Sequence, residues 1–289
     1  MKLKVVIAVF VIAFLGLFIL LHANGNSSSD NLYLQMDSLS ANSGVSLEYD
    51  EDEFREEFAT SDSIFEICKP APLIGVSEII IKKKAYIVSY NKDTKCPNWV
   101  AWCLTSDHAD GVVKRSNNFY EDESVPFPRA TLEDYRGSGW SRGHMCPAGD
   151  NKWDARAMAE SFSLINVCPQ NASLNSGLWN SIEMDCRQWA KRYEEIYIVC
   201  GPIYLNKEHE SIGENKVVVP EAFFKVVLCA KGQPKAFGFI ARNNEGKKKR
   251  DLYYNSVDEV ERITGYDFFP ALPDGLENKV EAEANINNW

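Results

Sequence analysis

Short, nearly continuous apolar runs separated by polar stretches constrain this chain more than any other feature. Residues 196–200 (IYIVC), 223–229 (FFKVVLC) and 237–241 are too short for buried helices and rich in β-branched and aromatic side chains, so they predict buried strands. Residues 99–105 (WVAWCLT) read as another strand, and 78–90 as two strands around a lysine-rich turn. A short strand is expected at 164–167. Helical spacing shows in three places. Ala155, Met158, Ala159 and Phe162 place a helix in 153–162. Leu178, Ile182, Cys186, Trp189 and Tyr193 recur every three or four residues and place an amphipathic helix over 175–193. A late helix is expected at 257–264. Strands dominate, with helices inserted between them, which makes the class α+β.

The termini of this pattern are uneven. Lys2 and Lys4 precede an apolar run, 5–21, with neither charge nor proline. Such a run reads as an export signal or a membrane anchor, with the lysines holding the N-terminus in the cytoplasm. The bulky Leu21 in Leu21-His22-Ala23 makes a poor cleavage site, so a cleaved signal and an uncleaved anchor both stay open. Either route gives an exported chain that is secreted, periplasmic or membrane-anchored, with its globular part outside the cytoplasm. Residues 24–66 are polar and then acidic, a composition that buries too little surface to offset ordering entropy. Up to residue 66 there are eleven acids against three bases, which accounts for -8 of the formal net charge of -10. The remainder is close to neutral and can still present a local basic groove to an anionic polymer. Three segments follow: 1–23, signal or anchor; 24–66, acidic polar linker; 67–289, the globular domain.

The eight cysteines all lie beyond the linker. An even number in an exported domain fits disulfides, and the same residues fit equally well as small buried hydrophobes. His144, Cys146 and Cys168 could supply zinc ligands, but no paired C-x-x-C accompanies them.

Two neighbouring segments carry the chemistry. In residues 134–150, Gly137, Gly139 and Gly143 frame Arg142 and His144, leaving room for close approach of a ligand. In residues 166–183, Asn175 opens the amphipathic helix. Glu183 follows eight residues later, about 80° further around the axis. A histidine, an arginine, an amide and a carboxylate together can supply a base, a cation for an anionic transition state and a metal ligand, as phosphodiester hydrolysis requires. On residue types alone, a single histidine between glycines is more often a turn or core residue than a base.

Ser141-Arg142-Gly143-His144 resembles the Asp-Arg-Gly-His signature of the DNA/RNA non-specific endonucleases, the ββα-metal nucleases. Further landmarks of that family stand in order: Asn98-Trp99-Val100, Arg129-Ala130-Thr131, Asn166 with Pro169-Gln170, Leu174-Asn175 through Trp179 to Glu183, Phe223-Phe224-Lys225 and Phe268-Phe269-Pro270. The resemblance spans roughly 67–275. It implies a ββα-metal (His-Me finger) fold, with a central antiparallel sheet and flanking helices. It implies an Mg²⁺-dependent endonuclease, with Mn²⁺ as a possible substitute, acting on DNA and RNA with little sequence preference. In that reading His144 is the general base, Asn175 the metal ligand, Glu183 an indirect support for the metal and Asn166 an orienting residue. Arg142 contacts phosphate, with Arg115 as a second candidate. The chain departs from the signature at Ser141, where the family carries Asp. Cys146 and Cys168 each follow a site residue by two positions, which makes them the first expectation for a disulfide. A catalytically silent nucleic-acid-binding protein of the same fold, or a metal-dependent phosphoesterase on small esters, are the alternatives. The basic runs 82–84 and 247–250 read as solvated surface or as backbone contacts, and 5–21 allows a membrane partner.

Overall fold

The computed structural model describes residues 61–244 and 249–289. The expected export segment 1–23, nearly all of the 24–66 linker, and Lys247 and Lys248 lie outside the described residues. Helix α1 (Ser61–Cys68) begins before position 66, so it straddles the point where the linker was expected to give way to the domain.

The apolar runs become strands of one antiparallel sheet. The chain runs through β1 (Ile79–Lys82), β2 (Ile87–Asn91) and β3 (Cys96–Thr105), then leaves the sheet. Outside it come β4 (Ser141–His144), α2 (Ala155–Glu160), β5 (Val167–Gln170) and the long helix α3 (Asn180–Tyr193). The chain returns with β6 (Glu195–Ile203) and, after a small hairpin of β7 (Ser211–Ile212) and β8 (Val217–Val218), adds β9 (Ala222–Cys229), β10 (Lys235–Arg242) and β11 (Tyr254–Asn255). The sheet has seven strands in the order β1-β2-β3-β6-β9-β10-β11. Two helices, α4 (Val257–Thr264) and α5 (Asp274–Ala282), close the chain.

Both faces of this sheet are covered, and for that reason its central strands read as continuous apolar runs instead of alternating ones. The period of two sorts their side chains. Val100 and Trp102 of β3, Ile198 of β6 and Phe223 and Val227 of β9 point into one core, with Trp179, Ile182, Cys186 and Trp189 packed above them. Trp99, Val199, Phe224 and Val226 point into the other, under Ile67 of α1, Val257 and Val260 of α4 and Val280 of α5. Each fully buried side chain of this size contributes about 1.5–3 kcal/mol.

Three local expectations need adjustment. Residues 164–167 are not a strand: Leu164–Asn166 form a 3₁₀ turn and pairing starts at Val167. The turn is closed by Asn166 N–H donating to the Ser163 carbonyl at 3.0 Å, and Leu164 and Ile165 enter the core from it. The 153–162 helix is shorter than its apolar spacing, because Asp154 caps it by accepting from the amides of Arg156 (2.8 Å) and Ala157 (2.9 Å). The 175–193 helix opens with a π-helical turn, Asn175–Trp179, before α3 proper. Such wide turns often mark functional sites.

The expected disulfide is also corrected. All eight cysteines are buried free thiols. Cys146 Sγ accepts from Asn151 Nδ2 at 3.4 Å, whereas the Cys168 thiol has Cys96 as its neighbour, so the two side chains are committed to different surroundings. Burial pushes both thiols well above the ordinary cysteine range, which makes them inert core residues. Among the described residues no helix is long and apolar enough to cross a membrane.

Candidate active site

The site is built on the β4–β5 hairpin and the π-helical turn that follows it. In the hairpin Gly143 pairs with Cys168 and His144 with Val167. Gly143 is required by packing: a Cβ there would lie 2.3 Å from Gln170 Oε1. This close approach brings His144 to the end of the strand in a fixed orientation. Behind it, the fully buried Asn166 braces the chain. Its Oδ1 accepts from the Cys146 amide at 2.9 Å, and its Nδ2 donates to the carbonyls of Cys146 and Ser161, both at 2.8 Å.

His144, Arg142, Arg115 and Asn175 line one cavity of about 560 Å³, together with Ser141, Phe119, Tyr135 and Trp140. His144 is 8% exposed, and its Nε2 is buried with no partner among the described residues. The ring is wedged edge-on against Phe162, with centroids 4.9 Å apart, and tilted against Phe119 at 5.2 Å. Burial, then the charges of Arg115 and Arg142, lower its pKa to about 3. The imidazole is therefore neutral at physiological pH, with a lone pair free to accept a proton. The two guanidiniums lie over the same aromatics, Arg142 4.4 Å from the Phe119 centroid and Arg115 5.3 Å from that of Phe162. Both are exposed, so they face solvent and whatever anion enters.

Asn175 reaches the cavity from the π-helical turn. Its side-chain amide makes no hydrogen bond among the described residues, which leaves its oxygen available. One free neutral oxygen donor in an open cavity fits Mg²⁺, which keeps most of its waters and takes few protein ligands. The zinc alternative finds no support, because His144, Cys146 and Cys168 do not form a ligand cluster among the described residues.

Glu183 and Asn166 do not line the cavity. Glu183 belongs to a charged cluster behind it. Burial raises its pKa to about 7, against the attraction of Lys225; Asp150 adds to the rise, and Arg187 and Arg115 oppose it. Arg187 is salt-bridged to Asp150 at 2.8 Å, and Trp102 Nε1 donates to the second Asp150 oxygen at 3.2 Å. Lys225 is 1% exposed, with its ammonium 4.9 Å from the Trp102 ring and 5.0 Å from that of Trp179. Burial pulls its pKa down, but Cys200, Cys186, Glu183 and Asp150 outweigh that and hold it charged. Sequence reasoning assigned no role to Asp150, Arg187 or Lys225. Two signals could have found the last two: Arg187 lies one helical turn beyond Glu183, and Lys225 is a lone charge in an otherwise apolar run.

Among the described residues of the basic runs, three are committed to neighbours. Lys83 pairs with Asp122 at 2.7 Å, Lys84 with Asp154 at 2.8 Å and Arg250 with Asp185 at 2.6 Å.

With this geometry in hand, comparison with known proteins is specific. The model of the DNA/RNA non-specific endonuclease family matches residues 65–275. The mitochondrial nuclease EXOG of Mus musculus is 38% identical over 205 residues, covering 65% of this chain and 56% of that protein. The chain thus spans little more than half the length of such relatives. The mitochondrial endonuclease G of Bos taurus is 33% identical over 215 residues, covering 69% of this chain and 72% of its own length. Among solved structures, that of an EndoG/EndoGI complex, concerned with the mechanism of EndoG inhibition, superposes with a TM-score of 0.66 at 30% identity. It covers 73% of this chain and 91% of that one.

Proposed function

The chain belongs to the DNA/RNA non-specific endonuclease family, and from that premise we propose that it is an exported, metal-dependent endonuclease cutting DNA and RNA with little sequence preference. One observation carries this reading. A neutral histidine, a free amide oxygen and two exposed guanidiniums share one open cavity.

Arg142 and Arg115 bind the scissile phosphate and hold it in the cavity. His144 accepts a proton from the water that attacks phosphorus. Its low pKa would make it a weak base in the empty site. Burial is the larger cause of that low pKa, and an incoming phosphate offsets the smaller part due to the guanidinium charges, so basicity rises when substrate is present. Bound Mg²⁺, with Mn²⁺ as substitute, supplies Lewis-acid stabilisation for charge on the phosphate and the departing 3′ oxygen. Asn175 would hold the ion, and Glu183, kept only partly ionised at neutral pH by its burial, would gain its negative charge as the ion binds and so support it indirectly. Asn166 fixes the backbone after His144 and so positions the base.

Ser141 favours the silent-binding reading, since it replaces the family's acid at the cavity wall. The intact His144 and Asn175 favour an active enzyme. Incubating the purified protein with plasmid DNA and with RNA, in Mg²⁺ or in chelator, decides between them. Metal-dependent cutting of both supports the proposal; no cutting with Mg²⁺ or Mn²⁺, or cutting indifferent to chelator, refutes it. Export rests on the apolar run 5–21. Cell fractionation that recovers the protein only in the cytoplasm would contradict it.

A further inference from the structure

On the face of the sheet opposite the nuclease cavity, α4 and α5 meet, and their carboxylates converge. Asp258 and Glu261 stand on α4 and Glu281 on the last turn of α5. One oxygen from each lies within 4.8 Å of the others. Like charges this close repel unless protons or a cation intervene. Among the described residues none of the three forms a salt bridge; Arg262, the basic residue of α4, is turned to Glu259 at 2.7 Å.

A second observation points to a ligand. Glu281 is 5% exposed, and its Oε1 is buried with no hydrogen-bond partner among the described residues. A buried carboxylate oxygen left unpartnered is costly, and native structures rarely keep one without a compensating group. One helical turn earlier on α5, Glu277 presents another buried and unpartnered oxygen. Glu261 is held in place by accepting the Phe268 amide at 2.7 Å. The cluster is thus oriented by the fold but not satisfied by it.

We propose that Asp258, Glu261 and Glu281 form a divalent-cation site separate from the nuclease cavity, and that its ion is Ca²⁺. The donors are all carboxylate oxygens, so a hard cation fits and a metal that prefers nitrogen or sulfur does not. They come from two separate helices and number only three, so other oxygens, water included, must complete the shell. Ca²⁺ accepts irregular sets of six to eight oxygens with water completing them, whereas Mg²⁺ demands a near-ideal octahedron. The ion ties α5 to α4, and through Val257, Val260 and Val280 it fastens both helices over the second core.

Calorimetric titration of the full chain with CaCl₂ tests this, using Asn175→Ala to weaken the nuclease site and Asn175→Ala with Glu281→Gln as its comparison. The difference between the two chains is what is read, so the result does not depend on the role given to Asn175. The expected result is one Ca²⁺ lost between them, with a Kd on the order of 10⁻⁴–10⁻³ M in the first. Ca²⁺ should also raise the Tm of the first chain and not of the second. Asp258→Asn, an exposed position, repeats the comparison if Glu281→Gln perturbs folding. Equal Ca²⁺ binding in the paired chains, or no Ca²⁺ binding and no change in Tm in either, overturns the proposal.

Discussion

Replacing Arg115 and Arg142 together by glutamine tests how the base is tuned. The His144 ring lies 5.2 Å from the Phe119 centroid and the Arg142 guanidinium 4.4 Å from it, so the two groups are no more than about 10 Å apart. The same reasoning through Phe162, with separations of 4.9 and 5.3 Å, places Arg115 within about the same distance. At 10 Å, unit charges interact by about 0.4 kcal/mol in water and about 1.7 kcal/mol at an effective dielectric of about 20. Each arginine then lowers the imidazole pKa by roughly 0.3–1.2, and the exposure of both guanidiniums favours the smaller figure. A nearby positive charge disfavours imidazolium, so removing both should raise the pKa from about 3 toward the ordinary value. In the proposed mechanism neutral His144 is the active form, so its contribution to the acid limb of kcat/KM should move to higher pH while the plateau falls through lost phosphate contacts. Arg115 also lowers Glu183, so the rate profile alone would mix two groups. The His144 ring-proton resonance, followed by NMR against pH, separates them. A pKa in the double variant equal to or below that of the parent would refute the electrostatic account.

His144→Ala should reduce turnover by about 10²–10⁴-fold with nucleic-acid binding largely kept, measured by rates and a binding titration; a few-fold change would remove His144 from the mechanism. Asn175→Ala should raise the Mg²⁺ concentration needed for half-maximal rate, and an unaltered metal titration would contradict its role as ligand. Asn166→Ala orphans the buried amide of Cys146 and the carbonyls of Cys146 and Ser161, so denaturant unfolding should show a loss of at least about 1–3 kcal/mol. Ser141→Asp should alter turnover by no more than about tenfold, or about 1.4 kcal/mol in barrier; an inert parent switched on by this change would establish the silent-binding reading.

The sequence by itself determined six of the seven strands of the large sheet, the family and the identities of the main groups that meet in the cavity. Strand formation is written in local composition: 196–200 and 223–229 have no polar face to offer water, so they had to lie inside a covered sheet. His144, Arg142 and Asn175 could be named because the Ser141–His144 and Leu174–Asn175 segments resemble the family's motifs; the residue pattern alone left their roles open. Tertiary structure decided what depends on residues far apart in sequence. It brought Arg115 into the cavity over Phe162, set Glu183 back among Asp150, Arg187 and Lys225, and made Asn166 a brace. It also separated Cys146 from Cys168, which spacing had suggested as partners, by giving each thiol different neighbours in the core. The convergence of α4 and α5 on one acidic cluster belongs to the same class. The reason is range: backbone propensity and periodicity act over a few residues and are legible locally, whereas burial, charge pairing and pKa depend on which distant side chains packing brings within a few ångströms.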